Sequence, residues 1–121
     1  MTVTKVEIYG IPNCDSVGKA RKWLDAHAVP YTFHDFKKEG AAQARLAVWA
    51  STVGWETLLN KRGTTFRKLS DVQKADLDRE KAIDLMEAHP SLIKRPVVEH
   101  DGAVLVGFDE ARWVEAIEPE A

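Results

Sequence analysis

A change of hydrophobic periodicity at Cys14 constrains the fold of this chain more than any other feature. Residues 5–9 alternate polar and apolar side chains, which predicts a strand, and Gly10 begins a turn that ends it. Beyond Cys14 the apolar residues recur at spacings of three and four, so we predict an amphipathic helix from Asp15 to His27. The aromatic-rich stretch from Tyr31 to Phe36 predicts a second strand. A strand, a helix and a strand in close succession indicate a βαβ unit.

The rest of the chain alternates helical segments with turns and then returns to strands. Residues 61–68 contain a glycine, two threonines and no apolar period, so we expect a loop there. His100-Asp-Gly102 is typical of a hairpin turn, and Asp109 is a suitable N-cap for a last helix. In chain order we expect a helix over 41–53, a short turn carrying Leu58 and Leu59, the loop, a helical segment over 71–88 that is clearest from Arg79 to Ala88, strands at Pro96–Val98 and Ala103–Val106, and a helix from Asp109 to Ile117.

This order of elements predicts an α/β fold in a single domain over residues 1–121. A small mixed sheet carries an N-terminal βαβ part and a C-terminal ββα part, with an inserted helical segment at about residues 41–90 between them. A chain of 121 residues can bury a core without metal or disulfide staples. We interpret the middle segment as an insert because it is too short to hold its own core.

Composition excludes several classes of function. The formal net charge of −2 speaks against a generally basic nucleic-acid-binding protein. No apolar run approaches the ~20 residues of a membrane span, and the N-terminal residues lack the apolar region of a signal peptide. We therefore expect a soluble, cytoplasmic protein that contacts neither membrane nor nucleic acid. Cys14 is the single cysteine and the histidines lack metal-ligand spacing, so we expect no internal disulfide and no metal site.

The position of Cys14 at a predicted helix start favours a reactive thiol. The first N–H groups of a helix lack partners within the helix, and the helix dipole is positive there, so a thiolate is stabilised. The thiolate is the nucleophilic form. The carboxylate of Asp15 opposes this effect, so we expect only a moderate lowering of the thiol pKa. Without this position, a lone cysteine is most often a small buried apolar residue.

Basic residues in two loop segments offer positive charge to an anion. Charges beside glycine and proline in loops are well placed for binding, although such a run is often only a solvated face, and both interpretations stay open. The basic residues are Lys61, Arg62, Arg67 and Lys68 in one segment, and Lys94 and Arg95 directly before Pro96.

Four motifs together resemble the arsenate reductase-related ArsC/Spx family, and most closely its YffB-like branch. They cover nearly the whole chain in the family's order. The resemblance implies a thioredoxin-like fold with a helical insert, and it implies that Pro96 is a cis-proline facing the reactive cysteine. The motifs are Tyr9-Gly-Ile-Pro-Asn-Cys14-Asp-Ser, Leu58-Leu-Asn60-Lys-Arg62-Gly-Thr-Thr-Phe-Arg67, Leu92-Ile-Lys-Arg95-Pro96-Val-Val and Val106-Gly-Phe-Asp109-Glu110.

The resemblance also separates the activities found in the family. Arsenate reductases of this family surround the cysteine with three arginines, and of these only Arg95 carries over, because Asn60 and Gly107 occupy the other two positions. An arsenate held during reduction needs several charge-assisted donors, so arsenate is the less favoured substrate, although Arg62 or Arg67 could partly substitute. The regulatory Spx branch carries a Cys-x-x-Cys switch, whose second position is Val17 here. YffB-like proteins resemble glutathione-dependent thiol reductases.

We therefore expect a glutathione-dependent thiol/disulfide reductase with Cys14 as its nucleophile. Arg95 stabilises charge beside the sulfur, and Lys61 and Lys68 supply charge at the rim. Glutathione is the co-substrate rather than a bound cofactor, glutathione or glutaredoxin resolves the mixed disulfide, and the substrate is a small oxidised-sulfur compound or oxyanion bound by a monomer. The expected substrate-binding residues are Asn13, Ser16, Asn60, Arg62, Thr64, Thr65, Arg67, Lys94 and Pro96.

Two alternatives remain beside this enzyme hypothesis. One is a non-catalytic, Spx-like regulator or adaptor that binds RNA polymerase or another protein. The other is a chain that keeps the fold with an inert cysteine.

Overall fold

The computed structural model describes residues 6–117 and contains a four-stranded sheet and several helices. Its contacts divide the chain into two compact units. The sheet unit contains the chain up to Glu39 and again from Arg95 onward, and the insert unit contains Gly40–Lys94. The elements are β1 (Val6–Gly10), α1 (Asp15–Ala26), β2 (Tyr31–Asp35), α2 (Phe36–Glu39), α3 (Gln43–Val53), α4 (Trp55–Leu58), α5 (Thr64–Arg67), α6 (Asp71–Lys74), α7 (Arg79–Ala88), a 3-10 turn (Pro90–Leu92), β3 (Val97–His100), β4 (Ala103–Val106) and α8 (Glu110–Ile117).

The sheet unit has four strands in the order β2-β1-β3-β4. β1 and β2 run parallel on either side of the α1 crossover, in register from Val6 opposite Tyr31 to Gly10 opposite Asp35. β3 pairs antiparallel with β1, and β4 pairs antiparallel with β3. The predicted βαβ unit, the C-terminal hairpin and the thioredoxin-like mixed sheet are therefore confirmed. Lys5, the expected first residue of the first strand, lies outside the described residues.

The hairpin turn follows from two residues that tolerate positive φ. Asp101 has φ 52° and Gly102 has φ 83°, which is the left-handed geometry of a two-residue hairpin loop. Ordinary side chains are strained in that region, whereas aspartate and glycine reach it at low cost.

One face of the sheet carries the buried core of this unit. Alternation along β1 turns Val6 and Ile8 to the side on which α1 and α8 pack, and the core includes Leu24 and Trp113 from those helices. Asp109 caps α8 as predicted, because its carboxylate accepts the backbone N–H groups of Ala111 (3.1 Å) and Arg112 (3.4 Å).

The insert unit is built from short helices and one strand-like bridge. α3 packs against α4 and α7, and buried side chains such as Trp49 on α3 and Met86 on α7 are apolar. An antiparallel bridge joins Leu59 to Ile93. The expectation of a single domain over residues 1–121 stays a prediction. No helix among residues 6–117 combines the length and apolar character needed to cross a membrane.

Three local predictions were wrong. Residues 61–68 are not a plain loop, since they contain the helical turn α5. The helical segment over 71–88 is two helices and not one, because Asp76 has φ 51° and Asp78 starts a second helix by accepting the N–H of Lys81 at 2.8 Å. Its clearest part, from Arg79 to Ala88, is confirmed as α7. Phe36, expected at the end of the second strand, begins α2 and is buried. At the start of α7, local hydrogen bonding by Asp78 thus outweighs the continuous hydrophobic pattern.

Gly10 provides a test of how tightly the strand end packs on the first helix. An ideal Cβ on Gly10 would lie 2.6 Å from Cγ2 of Val17, which is a stiff, fully buried side chain in the first turn of α1. We expect Gly10→Ala to lower the free energy of unfolding by about 1–3 kcal/mol, measured by urea denaturation.

Gly18→Ala is the matched control. A Cβ at Gly18 meets nothing within 4 Å, and the residue lies in the interior of α1. This variant should raise stability by about 0.5–1 kcal/mol. Equal effects of the two substitutions would contradict the close approach of β1 to α1.

Candidate active site

Cys14 occupies the N-cap position of α1, directly after the turn that ends β1. Its backbone is extended, with φ −116° and ψ 129°, and its carbonyl accepts the N–H of Gly18 at 2.9 Å, which starts the helical hydrogen-bond pattern. The side chain is a half-buried free thiol. The thiol makes no side-chain capping hydrogen bond, so the N–H groups of the first turn have no conventional capping acceptor.

The surroundings of Cys14 lower the pKa of its thiol. Burial raises this pKa, but it is outweighed by the backbone N–H of Val17, the Arg95 side chain and the backbone N–H of Ser16, all of which stabilise the thiolate. The charge of Arg95 adds a further Coulomb contribution in the same direction. Asp15, the first residue of α1, does not reverse the result. At neutral pH this half-buried thiol is therefore present as the nucleophilic thiolate to a greater extent than a cysteine of ordinary pKa.

Arg95 reaches this sulfur from the segment before β3, which is joined to the residue after β4 by a backbone hydrogen bond. The Arg95–Pro96 peptide bond is cis, as the resemblance implies, and Pro96 is buried. The Pro96 carbonyl accepts the N–H of Gly107 at 2.8 Å, and the Gly107 carbonyl accepts the indole N–H of Trp113 at 3.2 Å. Gly107 has φ 78°, a backbone conformation in which an arginine would be strained.

Asn60 serves its own loop in the insert unit. Its side-chain oxygen accepts the backbone N–H of Arg62 at 3.1 Å, and its amide nitrogen would lie 2.9 Å from a Cβ placed on Gly63. The guanidinium of Arg67 donates to the carbonyl of Arg62 at 3.0 Å, which closes the same segment. Part of the hydrogen-bonding capacity of Asn60 and Arg67, both expected to bind substrate, is thus used inside the insert.

The other expected binding residues of the insert have different surroundings. The hydroxyl of Thr65 is hydrogen-bonded to that of Ser91 at 2.7 Å, and Nζ of Lys61 lies 5.8 Å from the ring centroid of Trp55. Thr64 and Lys68 are exposed and line a cavity together with Thr65. Lys94 is also exposed, and its backbone N–H donates to the carbonyl of Leu58 at 2.8 Å.

The structure thus brings together only part of the expected site. Cys14 and Arg95, far apart in sequence, interact within the sheet unit. Ser16, expected to bind substrate, contributes its backbone N–H to the Cys14 sulfur, and Asn13 is exposed in the preceding turn. Sequence reasoning did not single out Val17, whose N–H makes the largest favourable contribution. Its position, three residues after the N-cap, is the signal that could have identified it.

Metal ligation finds no support in this part of the chain. Residues 6–117 contain no group of three or more histidine, cysteine, aspartate or glutamate side chains that could hold a metal ion. The chemistry that the arrangement around Cys14 allows is nucleophilic attack by the Cys14 thiolate.

Comparison with known proteins places this geometry in a family. Residues 9–116 match the sequence model of the ArsC family. An uncharacterized protein of Haemophilus influenzae is 40% identical over 108 residues, covering 89% of this chain and 95% of that protein. Global transcriptional regulator Spx 1 of Lactococcus lactis is 29% identical over 107 residues, covering 87% of this chain and 83% of the regulator.

Solved structures agree with the sequence match. The YffB protein superposes with a TM-score of 0.91 at 53% identity, covering 93% of this chain and 98% of that one. An arsenate reductase (ArsC) related protein from Brucella melitensis gives a TM-score of 0.75 at 49% identity, covering 95% and 96% of the two chains. Since the family match spans nearly all of the sequence, the chain belongs to the ArsC family.

Proposed function

We propose that this protein is a glutathione-dependent thiol/disulfide reductase that uses Cys14 as its single nucleophile. The observation that carries the proposal is the lowered pKa of the Cys14 thiol, produced by two backbone N–H groups and the Arg95 guanidinium against the opposing effect of burial. Membership of the ArsC family and the likeness to an arsenate reductase related structure support a reductase that works through a thiol.

The first step is a thiol–disulfide exchange at Cys14. The thiolate attacks the glutathione sulfur of a mixed disulfide, forming a Cys14–glutathione bond while the disulfide bond breaks and the substrate leaves as a thiolate. The leaving thiolate takes a proton from solvent. Arg95 stabilises negative charge at Cys14 before the attack and again when the thiolate is regenerated.

The second step needs a thiol from outside the chain, because Cys14 is the only cysteine. A glutathione thiolate attacks the glutathionyl sulfur of the adduct, which releases oxidised glutathione and restores the Cys14 thiolate. The two electrons that reduce the substrate thus come from two glutathione molecules, one of them carried in by the mixed disulfide. A glutaredoxin can supply the resolving thiol in the same way. Such a cycle requires a reduced thiol pool, so we place it in the cytoplasm.

The negative charge of glutathione is complementary to the basic segment of the insert. Its two carboxylates need cationic or hydrogen-bonding partners, and the segment from Lys61 to Lys68 carries four basic residues and no acid. Lys94 adds a further exposed cation. We propose that these groups bind the glutathione carboxylates, together with the Thr64 and Thr65 hydroxyls.

Arsenate is the weaker substrate proposal. A tetrahedral oxyanion carries its charge on several oxygens and needs several donors during reduction. Arg95 is the one arginine next to Cys14 that supports this role, while Asn60 bonds to its own loop and Gly107 contributes only backbone groups. Arg67 uses a guanidinium N–H on the Arg62 carbonyl.

Alkylation of Cys14 by iodoacetamide against pH tests the activated thiol. The reaction rate follows the thiolate fraction, so it should rise with pH to a plateau. The midpoint of this rise should lie below the ~8.5 of a free thiol. Arg95→Gln should move the midpoint upward and slow alkylation at neutral pH, because it removes a group that stabilises the thiolate. Arg112→Gln, which removes the same charge from exposed α8, should leave the profile unchanged. Equal profiles for the two variants would contradict the role of Arg95.

Intact-mass measurement after incubation with oxidised glutathione tests the covalent intermediate. We expect one glutathionyl adduct, located at Cys14 and removed by reduced glutathione, since the exchange is reversible. Cys14→Ser should show no adduct and no reductase turnover. A protein that forms no adduct, or one whose adduct resists reduced glutathione and glutaredoxin, would contradict the proposal.

An adaptor function is the second candidate, favoured by the 29% identity to the regulator Spx 1. The Cys-x-x-Cys switch of that branch cannot close here, because its second position is the fully buried Val17. A pull-down with the RNA polymerase α-subunit separates the two functions. An adaptor should retain binding in the Cys14→Ser variant, whereas the reductase proposal predicts lost turnover and no such binding.

A further inference from the structure

A cavity of about 270 Å³ lies within the insert unit, between α5, the start of α6 and the end of α7. It is smaller than the ~300–1,000 Å³ of most small-molecule sites, so it can hold one group of a ligand rather than a large cofactor. Its lining residues are Thr64, Thr65, Lys68, Leu69, Gln73 and His89.

The polar groups of this cavity are mainly hydrogen-bond donors. Lys68 brings a positive charge, the threonines bring hydroxyls, and the His89 ring has at least one N–H in either protonation state. The cavity contains no carboxylate. A lining of this kind attracts an anion and disfavours a cation.

Two of the lining residues are fixed by hydrogen bonds to neighbours. Gln73 belongs to a capping box with Ser70: the Gln73 side-chain oxygen accepts the Ser70 N–H at 2.8 Å, and the Ser70 hydroxyl accepts the Gln73 N–H at 3.1 Å. This arrangement leaves the Gln73 amide NH2 available as a donor. The hydroxyl of Thr65 is held by Ser91 at 2.7 Å. The cavity is therefore partly preorganised before any ligand enters.

The remaining three polar groups have no protein partner. Within residues 6–117, neither the Lys68 ammonium, the Thr64 hydroxyl nor the His89 ring makes a hydrogen bond or an ion pair. In contrast, Arg67 donates to a backbone carbonyl, and Lys61 lies over the Trp55 ring. Two unpartnered donors of the basic segment, Lys68 and Thr64, thus meet the His89 ring at this cavity.

We propose that this cavity binds the carboxylate or phosphate group of a small anionic molecule, with Lys68 supplying the charge and Thr64, His89 and Gln73 supplying hydrogen bonds. The cavity shares Lys68, Thr64 and Thr65 with the groups proposed above for the glutathione carboxylates, but the argument for it uses only the lining of the insert and no chemistry at Cys14. It assigns anion binding to His89 and Gln73, which the motifs did not point to, and it leaves Arg62 and Arg67 out of this site.

The protein is titrated separately with inorganic phosphate and with acetate at constant ionic strength. Binding is monitored by the NMR chemical shifts of the backbone amides. We expect saturable shifts at Thr64, Thr65, Lys68 and Gln73, and the anion with the lower dissociation constant identifies the preferred group. Any phosphate shift around Cys14 is a separate event, which Arg95→Gln should remove without changing the cavity. Failure of the proposed reductase and failure of this site are thereby distinguished.

Two variants that each remove one positive charge test whether Lys68 binds the anion in this cavity. Lys68→Gln should weaken binding about fivefold, which is the upper range for one exposed charge contact. Lys22→Gln on α1 changes the net charge equally but should leave the affinity unchanged, because Lys22 is exposed and does not line the cavity. Thr64→Val, nearly equal in shape, should also weaken binding and covers the case in which Lys68→Gln does not fold. Shifts that do not saturate, or equal weakening by Lys22→Gln and Lys68→Gln, would overturn the proposal.

Discussion

The stabilisation of negative charge at the Cys14 sulfur is the interaction on which this account depends. Burial alone would keep this thiol protonated and inert, and only the first-turn N–H groups of α1 and the Arg95 guanidinium reverse that effect. These donors come from two distant parts of the chain. The lowered pKa of this thiol is therefore a product of the fold of the sheet unit and not of the residues next to Cys14 alone.

The sheet unit positions both contributions through close backbone contacts. Gly10 lets the end of β1 approach Val17, so that the turn delivers Cys14 to the start of α1. On the other side, the Gly107 N–H holds the Pro96 carbonyl, and the Trp113 indole holds Gly107. Through Trp113, the helix α8 thus supports the segment that carries Arg95. In these hydrogen bonds α8 contacts neither Cys14 nor Arg95 itself. The same contacts explain why Gly107 suits this chain better than a third arginine.

The sequence predicted the fold well where a pattern is long or a turn is chemically specific. The change of period at Cys14 identified β1 and α1, and Asp101-Gly102 identified the hairpin. Short elements were missed because one helical turn is too short to show a period. The local signals were nevertheless present: the capping box at Ser70 and the N-cap at Asp78 mark α6 and α7 as separate helices.

The site was predictable only in part, for a different physical reason. The helix start placed Cys14 correctly, since N–H groups at that position are free in any helix. Pairing it with Arg95 required the family resemblance, because no local pattern connects residues brought together by a sheet. Side-chain hydrogen bonds such as those of Asn60 and Arg67 depend on neighbours that a sequence does not reveal.

The ultraviolet absorbance of the Cys14 thiolate, recorded against pH with the Cys14→Ser protein as the blank, tests the central claim most directly. The signal belongs to one group, because the chain has one cysteine. The account predicts that the sulfur ionises at lower pH than a free thiol, so that a substantial thiolate signal is present near neutrality. A sulfur that stays protonated until the pH reaches ~8.5 or above would contradict it.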